Sequence, residues 1–379
     1  MADPAYPAAR AAAASIRAHL KQHEGGQLSA GQTQAPVPDT TTIEAVIDAA
    51  FWASLRREEE RTPILSIAIV SPEHVTHPIR FERPLPLAPQ ALTRVAPAVE
   101  RPGIHLGVWP SAAGDLSVWG ATRNLPALCF VLEVIAPGLL VIKESPGEQS
   151  GKYVNIAVLQ GDEIKVVDQR AATVPDCPDL LTSLLGLESQ FAPAESVNVL
   201  IQLAVSMRRH GRGGSLLVVP AGTGAWLDSM VQPILYSIAP PFSAMSALMQ
   251  ADADAQSRRS WQDELRRAVD VIAGLTAVDG ATVISDNYEL LAFGTKIVRR
   301  RGSPVVNRVI VTEPIEGAEP LIVEPAQFGG TRHLSAAQFV HDHHDSIALV
   351  ASQDGRFTVF AWSPCEDMVH AHRIETLLL

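Results

Sequence analysis

Residues 279–284 read Asp-Gly-Ala-Thr-Val-Ile, in which a short acidic side chain and a glycine are followed at once by an apolar run. Such a run, bounded by a turn, predicts a buried β-strand. The small residues Gly280 and Ala281 would let a ligand approach the backbone closely at the start of this strand. Asp-Gly is also one of the commonest turn dipeptides, so the triplet by itself is weak evidence for a functional site.

A second stretch, residues 329–336, reads Gly-Gly-Thr-Arg-His-Leu-Ser-Ala and leads into a predicted helix. The N–H groups at a glycine-rich helix start can hold an anion. Thr331 adds a hydroxyl group, and Arg332 adds a permanently charged guanidinium that suits phosphate. The same residues could also form an ordinary helix N-terminus, with Ser335 near the cap.

The sequence around these stretches predicts an α/β domain over residues 190–379. Apolar residues follow a helical period in some segments and form short continuous runs in others. The predicted helices are at about 195–209, 254–274 and 334–342, and the predicted strands include Ser215–Val219, Thr282–Ile284, Ile347–Val350 and Phe357–Phe360. The last two strands are expected to form a closing hairpin.

The sequence of the first half of the chain predicts a β-rich domain over residues 43–185. Together with the α/β domain over residues 190–379, this gives α/β (α+β) as the predicted fold class of the whole chain. A helix at about 43–59 precedes apolar segments of period two, separated by turns. The predicted strands are Ile64–Val70, His77–Phe81, Gly103–Trp109, Leu116–Trp119, Leu128–Ile135, Leu139–Lys143, Tyr153–Leu159 and Glu163–Asp168. Residues 1–42 are expected to be a flexible N-terminal segment and linker, with a short helix over residues 8–22. A domain boundary is expected near 172–190.

Composition and charge narrow the function classes. Hydrophobic residues make up 47% of the chain, enough for folded cores, and the net charge is −11. An acidic chain repels a nucleic-acid backbone, so nucleic acid is not expected as a partner. The apolar run Leu128–Ile142 is too short and too interrupted to span a bilayer, so we expect no membrane partner and a cytoplasmic protein. Cys129, Cys177 and Cys365 are far apart and are expected to be free, buried thiols.

The two glycine-containing stretches together resemble the signature of the diadenylate cyclase domain family: Asp-Gly-Ala, then about fifty residues later Gly-Thr-Arg-His. The resemblance extends from about residue 195 to the end of the chain. Gly213–Val219 is similar to an early strand of that family, and Glu289–Ile297 lies where the family places its adenine pocket. Ile347–Phe360 matches the last strand pair of the family. The resemblance implies a central mixed sheet flanked by helices.

The resemblance also implies a reaction. Two such domains would face each other in a homo-oligomer, each holding one ATP, and each 3′-hydroxyl would attack the α-phosphate of the other ATP. The products would be cyclic di-AMP and two pyrophosphates. Asp279 would hold the 3′-hydroxyl or a catalytic Mg²⁺ or Mn²⁺, and Thr331, Arg332 and His333 would be the other catalytic residues. Thr331 and Arg332 would cradle the phosphates, and His333 would shape the loop or contact a phosphate. The implied ATP-binding residues are Gly280, Ala281, Lys296, Ile297, Gly330, Ser335, Ser352, Gln353 and Arg356.

Four positions depart from the family pattern. Leu334 stands where the family usually has the second arginine of Arg-His-Arg. Val278 stands where membrane-type cyclases carry a histidine before Asp-Gly-Ala, and Ser352 and Gln353 stand where they carry a pair of glutamates. One alternative is therefore a non-catalytic domain of the same fold that binds ATP or a cyclic dinucleotide. Another is a cyclase with a different base choice, because the adenine pocket differs around Phe293–Ile297.

The N-terminal domain resembles sensor regions that are joined to cyclases of this family. The similar blocks include Gly103–Trp109 and Pro137–Lys143. This domain could bind an unknown ligand, or it could help to assemble the oligomer, and the sequence favours neither.

Other polar patterns have simpler interpretations. The run His341–Asp345 could bind a metal but more often forms a solvated turn. Arg299–Arg301 could guide nucleotide phosphates or DNA, but such a cluster more often marks a solvated strand end. Residues 211–224 lack the Gly-Lys-Ser/Thr of a P-loop, and Leu216 stands where a dinucleotide-binding fingerprint needs its third glycine.

Overall fold

The computed structural model describes residues 5–23, 34–58, 60–111, 114–147, 153–168, 198–251, 256 and 258–379. The chain divides into two compact units, Met1–Val167 with Leu379, and Asp168–Leu378. We call them unit 1 and unit 2. The predicted boundary near 172–190 lies outside the described residues.

Unit 1 contains a counterpart for each strand predicted in this part of the chain. Its helices are α1 (Pro7–His23), α2 (Thr40–Ser54) and α3 (Pro89–Val95), and its strands are β1 (Leu65–Ile69), β2 (Ile79–Pro86), β3 (His105–Pro110), β4 (Leu116–Thr122), β5 (Ala127–Ala136), β6 (Leu139–Pro146), β7 (Val154–Gln160) and β8 (Glu163–Val166). The Asp39 side chain caps α2 by accepting a 2.7 Å hydrogen bond from the Thr42 N–H. Helix α3 was not predicted, because its seven residues are too few to establish a period.

The described strands of unit 1 form one sheet in the order β2-β4-β3-β1-β5-β6-β7-β8. Strands β1 and β3 are parallel. Helices α1 and α2 contribute to the core of this unit, where Ala9, Ala12, Ile16 and Ile47 are buried. Alanines let α1 approach its neighbours closely, so residues 7–23 belong to this core and not to a flexible segment.

Unit 2 alternates helices and strands. Its helices are α4 (Val199–Arg209), α5 (Ala244–Met249), α6 (Arg259–Leu275), α7 (Pro325–Phe328) and α8 (Thr331–Asp342), and its strands are β9 (Gly214–Val219), β10 (Tyr236–Phe242), β11 (Ala281–Ser285), β12 (Leu290–Thr295), β13 (Val309–Thr312), β14 (Leu321–Val323), β15 (Ile347–Ala351), β16 (Phe357–Ser363) and β17 (Met368–Arg373). The helix predicted near 334–342 begins three residues earlier, at Thr331.

The described strands of unit 2 form one mixed sheet in the order β10-β12-β11-β9-β15-β16-β17-β13-β14. Successive residues of β9 belong to different hydrophobic cores. Leu216 packs in the core that α4 and α6 form, and Leu217 packs in the core that α8 forms. Since successive strand residues point to opposite faces, helices cover both faces of this sheet. The predicted mixed α/β fold class is confirmed as two large mixed sheets with helices.

The prediction for the cysteines is wrong in part. Cys129 is free and buried, as expected, but Cys365 is disulfide-bonded. Positions along a sequence do not show which cysteines approach within bonding distance, so the spacing could not reveal this bond. Within the described ranges, none of the helices combines the length and the apolar character needed to cross a bilayer.

Candidate functional site

One edge of the unit 2 sheet gathers most of the predicted site residues. Strands β9 and β11 are parallel, with Ser215 opposite Ala281, so their N-terminal ends lie at the same edge. Strands β12 and β15 run the other way and end there, with Thr295 opposite Ala281 and Ala351 opposite Gly214. The loops before β9 and β11 and the loops after β12 and β15 therefore lie side by side. We call this edge the site edge.

The turn before β11 is in close contact with the end of β12. Gly280 has a φ of +118°, and a Cβ atom at this position would lie 2.5 Å from the carbonyl carbon of Gly294. Only glycine fits such a space and such a backbone angle. The Thr295 hydroxyl also donates a 2.9 Å hydrogen bond to the Ala281 carbonyl. These contacts fix the two loops that carry the charged residues of the site edge.

Asp279 is the carboxylate of the site edge. Its side chain is 90% exposed and forms a hydrogen-bonded ion pair with the Lys296 ammonium. This hydrogen bond and the Lys296 charge lower the pKa of Asp279, and the charge of Arg332 lowers it further. Asp279 is therefore an ionised, accessible carboxylate that is paired with Lys296 and also feels the charge of Arg332. Lys296, which was predicted to border adenine, extends to Asp279 in this structure.

Arg332 reaches the same edge from the first turn of α8. A Cβ atom on Gly213 would lie 3.0 Å from the Arg332 Nη1 and 3.3 Å from the Gln353 Cγ. The Arg332 and Gln353 side chains therefore pack close to the Gly213 backbone. Gln353 also donates a 3.3 Å hydrogen bond from its Nε2 to the Arg212 carbonyl. The structure thus brings Arg332 and Gln353 together at the start of β9. Gly213 was predicted only as part of a strand block.

The start of α8 is open. Gly330 is the N-cap residue and has no side chain to cap the helix, and Thr331 is exposed at the first helical position. The hydroxyl group of Ser335 donates a 3.1 Å hydrogen bond to the Arg332 carbonyl, so Ser335 lies within the helix and does not cap it. The N-terminal N–H groups of this helix provide a partial positive charge beside Arg332.

His333, predicted as a catalytic residue, points into the core. Its ring is buried, lies edge-on to Phe328 and Phe360, and is 3.4 Å from the Thr358 hydroxyl through Nε2. Burial lowers the pKa of His333. Gly329 leaves room for this ring, because a Cβ atom there would lie 2.5 Å from it. This geometry assigns His333 to shaping the loop before α8.

Replacing His333 by alanine is expected to destabilise unit 2. The change removes ring contacts and leaves a cavity, so we expect a loss of about 2 kcal/mol in the free energy of unfolding, measured by urea denaturation. A variant of unchanged stability that binds nucleotide less tightly would instead show that His333 contacts a phosphate.

Phe293 and Ile297, near the end of β12, contact strand β10 and the segment before it. Ile297 pairs through its backbone with Met230, and its side chain packs against the α8 core. Phe293 stacks on Tyr236, with ring centroids 4.8 Å apart and planes within 5°. Tyr236 is 47% exposed. Sequence motifs could not single out Tyr236, because only the pairing of β10 with β12 brings it to this place.

The β15–β16 turn is closed by its own residues. The Ser352 N–H donates a 2.9 Å hydrogen bond to the Arg356 carbonyl. The Arg356 Nε lies 3.5 Å from a carboxylate oxygen of Asp354. The carbonyl of Gly355 accepts a 2.8 Å hydrogen bond from the Arg208 Nε. Of the predicted ATP-binding residues on this turn, Ser352 and Arg356 therefore make contacts within the turn, and Gln353 reaches the start of β9.

The polar clusters outside the site edge have structural roles. Asp342 is buried and accepts 2.8 Å hydrogen bonds from the Arg300 N–H and the Gln338 amide, and His343 is also buried. The prediction of a solvated turn is wrong for these two residues, because Asp342 anchors the loop that carries Arg299–Arg301. These three arginines are exposed. In the described part of the chain, no three or more His, Cys, Asp or Glu side chains converge as a metal site.

Unit 1 contains a polar network on its sheet around the buried residues His105 and Ser66. His105 contacts the Ser66 hydroxyl through Nδ1 (2.7 Å) and the Tyr153 hydroxyl through Nε2 (3.1 Å). Nearby, the Lys143 ammonium donates a 2.6 Å hydrogen bond to Glu133. Burial lowers the pKa of His105 to about 4, and the Lys143 charge adds to this effect while the Glu133 charge opposes it. The imidazole is therefore neutral in the folded protein at physiological pH.

This network predicts a pH dependence of stability. An exposed histidine in the unfolded chain has a pKa of about 6.5, so protons bind the unfolded state more strongly as the pH falls below that value. We expect the wild-type protein to lose about 2 kcal/mol more free energy of unfolding between pH 7 and pH 5 than a His105→Gln variant. Denaturant titrations at both pH values measure this difference. Equal losses in the two proteins would contradict the buried, neutral imidazole.

Residues 32–123 match the family model described as "Probable sensor domain DACNV". The matched residues all belong to unit 1 and extend from before α2 to the end of β4. This match supports the predicted resemblance of the N-terminal domain to a sensor domain. A search of curated proteins found no match.

Proposed function

We propose that this protein is a diadenylate cyclase, which joins two ATP molecules into cyclic di-AMP and releases two pyrophosphates. The observation that carries the proposal is the exposed Asp279 carboxylate at the site edge, which is ion-paired with Lys296 and lies close enough to Arg332 for that charge to act on it. Asp279 and Arg332 belong to the Asp-Gly-Ala and Gly-Thr-Arg-His stretches that resemble that family.

The chemistry of this reaction needs positioning and charge neutralisation more than covalent help from the protein. The Asp279 carboxylate can accept a hydrogen bond from a ribose 3′-hydroxyl and orient it towards the α-phosphate of the second ATP. Arg332, Thr331 and the open N-terminus of α8 can hold phosphate oxygens through N–H and O–H donors. Since Gly213 and Gly280 carry no side chains, Arg332 packs against the start of β9 and the loop of Asp279 packs against the end of β12.

The residues of the site edge fit a divalent cation that arrives with the nucleotide. Mg²⁺ in phosphoryl-transfer sites is often bound by one or two carboxylates together with substrate phosphates. Asp279 supplies one such carboxylate. When bound there, Mg²⁺ or Mn²⁺ would neutralise phosphate charge. Asp279 would hold the cation, and Arg332 would hold the phosphates from the other side.

Closing a cyclic product from two nucleotides requires two site edges that face each other, each with one ATP. We therefore propose that the active form is a homo-oligomer in the cytoplasm, and that unit 1 senses a ligand or helps to set the assembly. The match of residues 32–123 to a sensor domain supports the first role of unit 1.

A second candidate function is that of a non-catalytic nucleotide sensor. It is favoured by Leu334, which is 39% exposed on the first turn of α8 where the family usually carries an arginine. In this case unit 2 would bind ATP or a cyclic dinucleotide and pass the signal to a partner.

Pyrophosphate release from ATP and from 3′-deoxy-ATP separates these functions. A cyclase is expected to release pyrophosphate from ATP in the presence of Mg²⁺ or Mn²⁺ but not from 3′-deoxy-ATP, which lacks the attacking hydroxyl. A hydrolase would use both nucleotides. ATP binding without pyrophosphate release from either nucleotide would favour the sensor.

A further inference from the structure

The backbone on either side of the Lys296 side chain is held firmly. The Lys296 carbonyl accepts a 2.9 Å hydrogen bond from the Val231 N–H, and the next residue, Ile297, pairs with Met230. The Val298 N–H donates a 2.9 Å hydrogen bond to the Ser229 carbonyl. Together with the Gly280–Gly294 contact, these bonds keep the base of the Lys296 side chain within reach of Asp279.

The ion pair itself can open. The side chains of Lys296 and Asp279 are 53% and 90% exposed, and ion pairs that water can reach are weak. A triphosphate carries more negative charge than one carboxylate, so it competes well for the ammonium group. Lys296 can therefore exchange its partner without a change in the fold.

The charge of Lys296 also fits poorly beside a base. An adenine border needs apolar surface and a few fixed hydrogen-bonding groups. At this position the chain instead presents an ammonium group, with the Arg332 guanidinium near the same carboxylate. Two cations beside one carboxylate suit phosphate oxygens better than a base.

We propose that Lys296 belongs to a triphosphate subsite. In the free protein its ammonium neutralises Asp279. When a nucleoside triphosphate binds, the ammonium moves to a phosphate oxygen and leaves the carboxylate free for the ribose hydroxyl or the cation. Lys296 thereby supplies a positive charge that Leu334 cannot supply. This inference rests on the proposed function, since it names the part of the substrate that the same site edge holds.

Binding of two probes, ATP and inorganic tripolyphosphate, tests the subsite by titration calorimetry with the full chain. Lys296→Met is expected to weaken the binding of both probes about tenfold or more, because hydrogen bonds to charged groups contribute more than neutral ones. Lys296→Arg, which keeps the charge, is expected to bind both probes nearly as tightly as the wild type. Arg266→Met is a matched control, because it removes one exposed, ion-paired cation of α6 away from the site edge.

Two results with Lys296→Met would overturn the subsite. One is unchanged binding of both probes to Lys296→Met. The other is weaker binding of ATP with unchanged binding of tripolyphosphate, which would show that Lys296 contacts the adenosine part of ATP and not its phosphates. If the wild type binds both probes as expected and Lys296→Met weakens them, but no cyclic product forms, the subsite stands and the cyclase proposal fails. If the wild type binds neither probe, both proposals fail.

Discussion

Replacing Asp279 by asparagine is expected to abolish the formation of cyclic di-AMP without changing the fold. The amide has the size of the carboxylate but no charge, so it binds a divalent cation and the 3′-hydroxyl far more weakly. Removing one such electrostatic contact in an active site lowers turnover by about a hundredfold to a thousandfold or more. Product formation, followed by mass spectrometry, measures this loss.

Stability and a matched variant complete this test. Asp279 is 90% exposed, so Asp279→Asn is expected to unfold at the same urea concentration as the wild type. Asp263→Asn, which removes another exposed, ion-paired carboxylate of unit 2, is expected to keep full activity. An Asp279→Asn protein that still makes the product at the wild-type rate would remove Asp279 from the mechanism.

Replacing Gly280 by alanine is expected to damage both stability and activity. The new Cβ atom would lie 2.5 Å from the Gly294 carbonyl carbon and 2.7 Å from the Thr295 carbonyl oxygen, at a φ of +118°. These neighbours are backbone atoms that cannot rotate away, so the β11 turn or the end of β12 must shift. We expect a loss of about 3 kcal/mol in the free energy of unfolding, together with loss of product formation.

A Gly302→Ala variant measures the effect of backbone strain alone, without the clash that Gly280→Ala introduces. Gly302 also has a positive φ, +83°, but a Cβ atom there would have no neighbour within 4 Å. We expect this variant to lose only about 1 kcal/mol and to remain active. Urea titrations of both variants measure the difference. Equal losses in stability and activity would mean that the Gly280–Gly294 contact does not hold the site edge together.

Much of the fold could be predicted from local patterns. The period-two segments of the first half correspond to β1–β8, and the apolar run after Asp279 is β11. The role of α1 was harder to predict, because alanine contributes little apolar area and its value lies in close packing. Ala9 and Ala12 show their role only when the neighbouring elements are known.

The candidate site shows where sequence reasoning reaches its limit. The motifs select residues that lie at strand ends, but the partners of these residues depend on strand register, which motifs do not contain. The pairing of β11 with β12 brings Lys296 to Asp279. Neighbouring residues on a helix point about 100° apart, so Arg332 can lie at the site edge while His333 turns into the core. A short motif contains both Arg332 and His333, but it does not show which side chain points to the site edge and which points into the core.

The most direct test of the central claim is mass spectrometry of the products that the full chain forms from ATP with Mg²⁺ or Mn²⁺. We predict a cyclic di-AMP peak that grows with time in the wild-type protein. A protein that is folded and binds ATP, but forms no cyclic di-AMP with either cation, would contradict the account.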